Sequence, residues 1–285
     1  MRKIHEFLSQ RPSGTLYHYT DATALVSIIT KRELWATNAH HLNDAREFRY
    51  ALSLLRNEAE RRVNAPGLDA DSAQSWSALI NEWEEELPRT DSCVISFSTN
   101  GNQLSQWRAY CPKGSGYSIG FSFADLRPAR KATRALMVKC VYEPGEQRDL
   151  ILAVARYVED SWRRAKRFEG WNHLGFLAHI NRKVSAAMLA IKDKGFKEES
   201  EWRLVVSAGR DQPVSYRSGR FGIMPYYVVP LCGASEKLRF EEIYIGPNTE
   251  PMVARDALMG LLLKNAQPPR LLTESIKVSE IPFRY

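Results

Sequence analysis

His18 sits in the aromatic and apolar run 16–20, LYHYT, between Tyr17 and Tyr19. A histidine in such a run either satisfies the core with its ring nitrogens or offers one of them to a ligand hydroxyl at the floor of a cleft. A second concentration of chemistry lies at 196–206, FKEESEWRLVV. In a strand, alternation puts Glu199, Glu201 and Arg203 on one face and Ser200, Trp202 and Leu204 on the other. Two acids beside an arginine are costly if buried without partners. They read either as an exposed edge with a Glu201–Arg203 ion pair, or as carboxylates at a pocket mouth. In the second reading they stabilise a developing cation or accept a proton.

The block 96–121 carries SFST (Ser96, Phe97, Ser98, Thr99), then QWRAY (Gln106, Trp107, Arg108, Ala109, Tyr110), then GYSIGF. Hydroxyls at a strand end suit a ribose or a phosphate, and an aromatic ring can stack on a flat heterocycle. Arg108 can pair with a pyrophosphate. Aromatics in such numbers also build cores. His40, His41 and Asp44 form a tight polar group, but Asn43 or Asp44 also reads as a helix cap and no third ligand is evident. No metal is expected. Two basic runs, Arg127–Arg130–Lys131–Arg134 and Arg163–Arg164–Lys166–Arg167, are solvated faces or surfaces that steer a phosphate backbone.

The elements that must position these residues follow from periodicity and punctuation. Strands are predicted at 16–20, 34–37, 93–98, 117–123, 136–142, 196–207, 223–229, 241–245 and 276–281. A helix with Leu25, Ile28 and Ile29 on one side follows an N-cap at Thr20 or Asp21. Another carries Phe48, Leu52 and Leu55, a third spans 76–87, and a fourth 252–263. The stretch 107–116 reads as a turn-rich link, and 64–71 as a loop. The stretch 150–191 reads as two helices broken near Gly170. Strands and helices are partly segregated, which predicts an α+β fold, one domain over 1–285 with a helical insertion at about 148–194.

The bulk numbers are those of a globular protein: 285 residues, 44% hydrophobic, 26% charged. No stretch is apolar enough to cross a bilayer, and the N-terminus has no apolar leader core. Cys93, Cys111, Cys140 and Cys232 are widely spaced, without zinc-knuckle spacing. Cys93 and Cys140 sit in apolar runs as reduced core thiols would, which points to the cytoplasm. A net charge of +7 favours approach to a polyanion, or is simply a basic surface.

In chain order, LYHYT, LWATN, HLNDAREF, CVISFST, QWRAY, GYSIGF and EESEWRLV resemble a bacterial family known only as a domain of unknown function, over about residues 15–250. That family is similar, more remotely, to the ADP-ribosyltransferase fold, including toxin-type members that modify nucleic acid. The resemblance implies a split β-sheet around NAD, with flanking helices. It implies a histidine or arginine on the first strand, a tyrosine or serine on a middle strand and a glutamate on a later one. His18 takes the first place, Ser98 or Tyr117 the second and Glu201 the third, with Glu199 completing a Glu-x-Glu pair. The pattern is a hybrid, because Glu-x-Glu goes with an arginine in the first place. The implied roles are these: His18 holds the ribose, and Tyr19, Tyr117 or Trp107 packs the nicotinamide. Ser98, Thr99 and Arg108 meet ribose or phosphate. Glu201 stabilises the oxocarbenium-like transition state, and Glu199 positions the acceptor.

The implied activity is NAD-dependent ADP-ribosyl transfer to nucleic acid or protein by a toxin-like or phage-defence effector, kept in check by an antitoxin or regulatory partner. NAD is then a substrate and no metal takes part. Two rivals come from other functional classes. One is a non-catalytic nucleotide-binding sensor. The other is a metal-dependent nuclease or phosphoesterase built on His40, His41 and Asp44.

Overall fold

A computed structural model describes residues 2–41, 45–65, 73, 76, 92–111, 116–168, 172–207, 213–219, 222–248, 250–266 and 272–282. The strands are β1 Leu16–Asp21, β2 Glu33–Asn38, β3 Ser92–Ser98, β4 Gly116–Phe121, β5 Leu136–Lys139, β6 Glu201–Ser207, β7 Ser215–Gly219, β8 Gly222–Pro230, β9 Glu242–Ile245 and β10 Ile276–Val278. The helices are α1 Ile4–Leu8, α2 Ala22–Lys31, α3 Ala45–Val63, α4 Leu104–Tyr110, α5 Arg127–Thr133, α6 Pro144–Ala165, α7 His173–Met188, α8 Pro251–Asn265 and α9 Leu272–Ser275. Among the described residues the strands form one sheet in the order β10-β9-β4-β1-β3-β2-β8-β7, with β6 on β3 and β5 on β6. Only β9 and β10 run parallel; the other pairs are antiparallel. This is an open, mixed sheet flanked by helices, an α+β arrangement.

Strand alternation assigns each face its own cover. Trp202, Leu204 and Val206 of β6 join Ile95 and Phe97 of β3 in the core beneath α2, α5 and α8. Val205 and Val94 point the other way, into the core built by α1, α3, α6 and α7. Leu150, Val154 and Val158 recur every fourth residue along α6 and are fully buried, the stripe that seats an amphipathic helix on a sheet. The two helices expected within 150–191 are therefore a layer over the sheet; Gly170, their expected break, lies outside the described residues. So does the predicted helix at 76–87, apart from Trp76, whose indole donates to Glu159 Oε1 at 3.2 Å.

Two predicted segments differ in kind, and two in length. The link at 107–116 begins as helix α4, because burial of Gln106 and Trp107 on one side holds a helical turn. The predicted strand from 196 starts only at Glu201. Asp193 accepts a hydrogen bond from the Gly195 amide and opens a 3-10 turn over Lys194–Glu199. Ser200 then takes the left-handed conformation, φ 45°, before the strand begins. Strands 136–142 and 276–281 are also shorter than predicted, as β5 and β10.

The functionally important feature is how β3 is paired. Seven residues of β3 pair with β6 along one edge, from Ser92↔Ser207 to Ser98↔Glu201. The other edge is shared. β1 meets it at Tyr17↔Ser98, and β2 meets it at Thr37↔Val94 and Asn38↔Cys93. Between those contacts no strand pair falls on this edge. β1 stays instead with β4 over its six residues, and β2 stays with β8. Helix α2 connects the two strands and fixes their divergence. Its first turn is capped by Asp21, which accepts from the Ala24 amide at 2.7 Å, and it ends at Arg32 with φ 58°. The sheet is therefore open beside residues 95–97.

Candidate functional site

A cavity of about 440 Å³ occupies this opening. Its walls come from residues 17–21 of β1, 94–98 of β3 and most of β2. The volume lies within the range of small-molecule sites.

His18 crosses the gap. Its Nδ1 lies 3.0 Å from the Ser96 carbonyl. A carbonyl can only accept, so Nδ1 carries the proton and donates, leaving Nε2 as an acceptor. Burial lowers the pKa of His18 below 6.5, and the nearby Arg217 charge lowers it too, against the pull of the Ser96 carbonyl. The ring is thus neutral at pH 7.

The β6 side of the cavity holds a buried charge cluster. Arg203 donates from Nε to Glu201 Oε1 at 2.8 Å and from Nη2 to Glu201 Oε2 at 3.0 Å. The same Nη2 donates to Glu47 Oε2 at 2.8 Å, and Nη1 donates to the Leu189 carbonyl at 2.8 Å. Lys192 Nζ donates to Glu199 Oε2 at 2.5 Å and to Glu201 Oε2 at 2.6 Å. Burial alone would raise the Glu201 carboxyl, but Arg203 and Lys192 hold it down at about 2. For Glu47 burial wins over the same two cations, and its carboxyl is raised. Among the described residues its Oε1 is buried without a hydrogen-bond partner, 3.7 Å from Lys192 Nζ. Three carboxylates thus face two cations.

This geometry corrects the exposed-edge reading of the 199–203 run and the placing of Glu199 by strand alternation. Glu201 and Arg203 do pair, but at 4% exposure each they are no exposed edge. Glu199 shares the cluster through the turn before β6, not through strand alternation. A carboxylate has about four acceptor sites; among the described residues Glu201 uses three, and one on Oε1 is left.

The other predicted residues divide. Ser98 and Tyr19 line the cavity, with their hydroxyls engaged. Ser98 Oγ donates to the Glu199 carbonyl at 2.8 Å, pinning the end of β3 to the turn. Tyr19 donates to the Asn100 carbonyl at 2.7 Å and accepts from the Gln103 amide at 3.0 Å. Thr99, Trp107, Arg108 and Tyr117 are not among the lining residues. Trp107 is fully buried behind Tyr19, with the ring centroids 4.6 Å apart. Arg108 is exposed on α4, and Thr99 is exposed past the end of β3. Tyr117 is on β4, on the side of β1 away from β3. Of the two candidates for the middle place, Ser98 is the one at the cavity.

His41 also lines the cavity, while His40 packs edge-on against Phe48 at 5.8 Å. Asp44 lies outside the described residues. Among the described residues no group of three His, Cys, Asp or Glu side chains could hold a metal ion.

Several lining residues were not singled out from the sequence. Glu47 and Lys192 complete the cluster. Tyr110 of α4 stands beside it, and burial together with the Glu199 charge pushes its hydroxyl up to about 12. On the β8 side, Arg217 donates from Nη2 to Thr37 Oγ1 at 2.8 Å. One signal was available: Glu47 precedes Phe48 and lies four residues before Ala51 on the buried stripe of α3, and Lys192 ends the apolar run 186–191. A charge inside an apolar stripe is a buried charge in need of partners.

No curated protein matches the chain. No solved structure does either. Residues 106–204, which include Tyr110, Lys192, Glu199, Glu201 and Arg203, match a family described as "Protein of unknown function (DUF2971)".

Proposed function

We propose that the protein is an NAD-dependent ADP-ribosyltransferase that works in the opening of the sheet. One observation carries this reading: a single cavity joins a neutral histidine acceptor, a cluster of three carboxyl groups around two cations, and an arginine paired with no carboxylate among the described residues. NAD carries charges to match, positive on its nicotinamide ring and negative on its diphosphate. His18 Nε2 accepts from a hydroxyl of the nicotinamide ribose. The free acceptor site of Glu201 takes another, and Tyr110 flanks the ring.

As the bond from ribose C1′ to the nicotinamide nitrogen breaks, its electron pair leaves with a neutral nicotinamide. Positive charge grows on the ribose, facing Glu47, Glu199 and Glu201. Fixed charges aimed at a developing cation need no reorganisation during the reaction. A lone pair of the acceptor, on nucleic acid or protein, then bonds to C1′. The acceptor's proton passes to solvent or to Glu199, whose side chain, 13% exposed, is the most open of the three.

A second reading is a non-catalytic nucleotide sensor. The observation in its favour is that Glu201 is already neutralised by two cations. Nicotinamide release from NAD, beside ADP-ribose binding, separates the two. The transferase releases nicotinamide, and label from NAD moves to lysate material removed by nuclease or by protease. Binding without release would make the protein a sensor, and neither would end both readings. Because the pKa of His18 is lowered from 6.5, its neutral form is complete above that pH and is lost as pH falls through the lowered value. Ribose-dependent affinity should follow that course.

A further inference from the structure

Three basic side chains at the cavity differ in what they already hold. Lys192 and Arg203 are each bonded to two carboxylates. Arg217 has no carboxylate within ion-pair distance among the described residues. Its one hydrogen bond among the described residues is to the Thr37 hydroxyl, a neutral acceptor. Among the described residues its Nε is buried without a hydrogen-bond partner, and burial lowers its pKa. Its guanidinium carbon lies 5.7 Å from the Trp35 ring centroid and 5.9 Å from that of Tyr226, and those two rings are 4.6 Å apart. The aromatic pair holds the planar group in one orientation without neutralising it.

A partly buried cation kept in place, with the Asp21 carboxylate acting on it only from beyond ion-pair distance, is costly until an anion arrives. The fork of a guanidinium matches two oxygens of a phosphate. We propose that Arg217, held by Trp35, Tyr226 and Thr37, is the phosphate-binding element of the cavity and takes the diphosphate of the nucleotide. The word nucleotide rests on the transferase reading; the phosphate subsite does not. The site differs from the Arg108 assignment made from the sequence. It comes from the hairpin of β7 and β8, and it faces the carboxylate cluster across β2 and β3. The cavity thereby carries Arg217 on its β7–β8 side and the Glu47, Glu199 and Glu201 carboxyls on its β6 side.

Calorimetric titration of the whole chain with inorganic pyrophosphate, ADP-ribose and nicotinamide riboside tests this, using wild type, Arg217→Gln and Arg217→Lys. Loss of charge-assisted bonds should weaken pyrophosphate and ADP-ribose roughly ten- to a hundredfold in Arg217→Gln. Nicotinamide riboside, which has no phosphate, should bind as to wild type. Arg217→Lys should fall between, as a point charge without a fork. Raising salt should weaken wild-type binding of pyrophosphate more than that of Arg217→Gln. Unchanged phosphate affinities, or equal losses for all three ligands, would overturn the inference. Wild type that binds none of the phosphate probes would do so too. Pyrophosphate binding that depends on Arg217, without ADP-ribose binding, would uphold the subsite and defeat the NAD reading. Should Arg217→Gln not fold, Arg217→Lys and the wild-type salt dependence still decide.

Discussion

At the scale of single residues, Glu201 is held by Arg203 and Lys192 at 4% exposure, so its charge belongs to the packing as much as to the cavity. Glutamine would keep its shape but leave two buried cations short of a carboxylate. Glu201→Gln should cost about 3–5 kcal/mol in a urea melt, the usual loss on breaking a buried pair. A cost under about 1 kcal/mol, that of an exposed pair, would contradict the buried cluster. The acid side gives a second readout. Folded, Glu201 titrates at about 2 against an ordinary 4.5, so the unfolded chain takes up the proton first. Its stabilisation is complete above pH 4.5 and is lost as pH falls toward 2; Glu201→Gln should lack that loss. Glu47 has the opposite sign: its carboxyl is raised, so its contribution declines as pH climbs above 4.5. His18, Ser98, Glu199 and Glu201 were legible because each is a polar residue in or beside an apolar strand. Arg217 was not, because an arginine among Ser215, Tyr216 and Ser218 looks like any solvated edge residue. What marks it is the pairing of β7 with β8, a contact invisible in one segment read alone.

At the scale of elements, the strands of the site were read well and its turns poorly. Alternation in β3 and β6 is written in their apolar residues, so their faces could be assigned. Helix α4 was hidden by the Pro and Gly that follow it. The turn over Lys194–Glu199 was hidden by the β-prone residues just after it, since the Asp193 cap and the left-handed Ser200 leave little trace in composition. Helix α6 carries a prediction of its own. Its inner stripe is core, while Arg163, Arg164, Lys166 and Arg167 at its C-terminal end are exposed. Neutralising those four together should weaken binding of a polyanionic acceptor and flatten its salt dependence, leaving ADP-ribose affinity unchanged. Filter binding of RNA over a salt series, beside ADP-ribose calorimetry, checks it. The reverse pattern would assign the end of α6 to the nucleotide.

At the scale of the molecule, the sheet is two wings joined through β3: β10, β9, β4 and β1 on one side, β2, β8 and β7 on the other. A strand in the middle of a sheet is ordinarily the slowest part of a protein to exchange its amide protons. Here the seam reverses that at one position. In an antiparallel strand the N–H and C=O of a residue leave on the same side, and the Ser96 carbonyl faces the opening, toward His18. Its N–H therefore faces the opening too. Deuterium should enter at Ser96 faster than at Val94 or Ser98, which are paired on that edge, and ADP-ribose should slow it. Equal protection at all three without ligand would mean the seam is closed. A ligand that spans the seam does more than fill a hole: it supplies the missing rung between the wings, and the central strand of the free protein carries its own occupancy gauge.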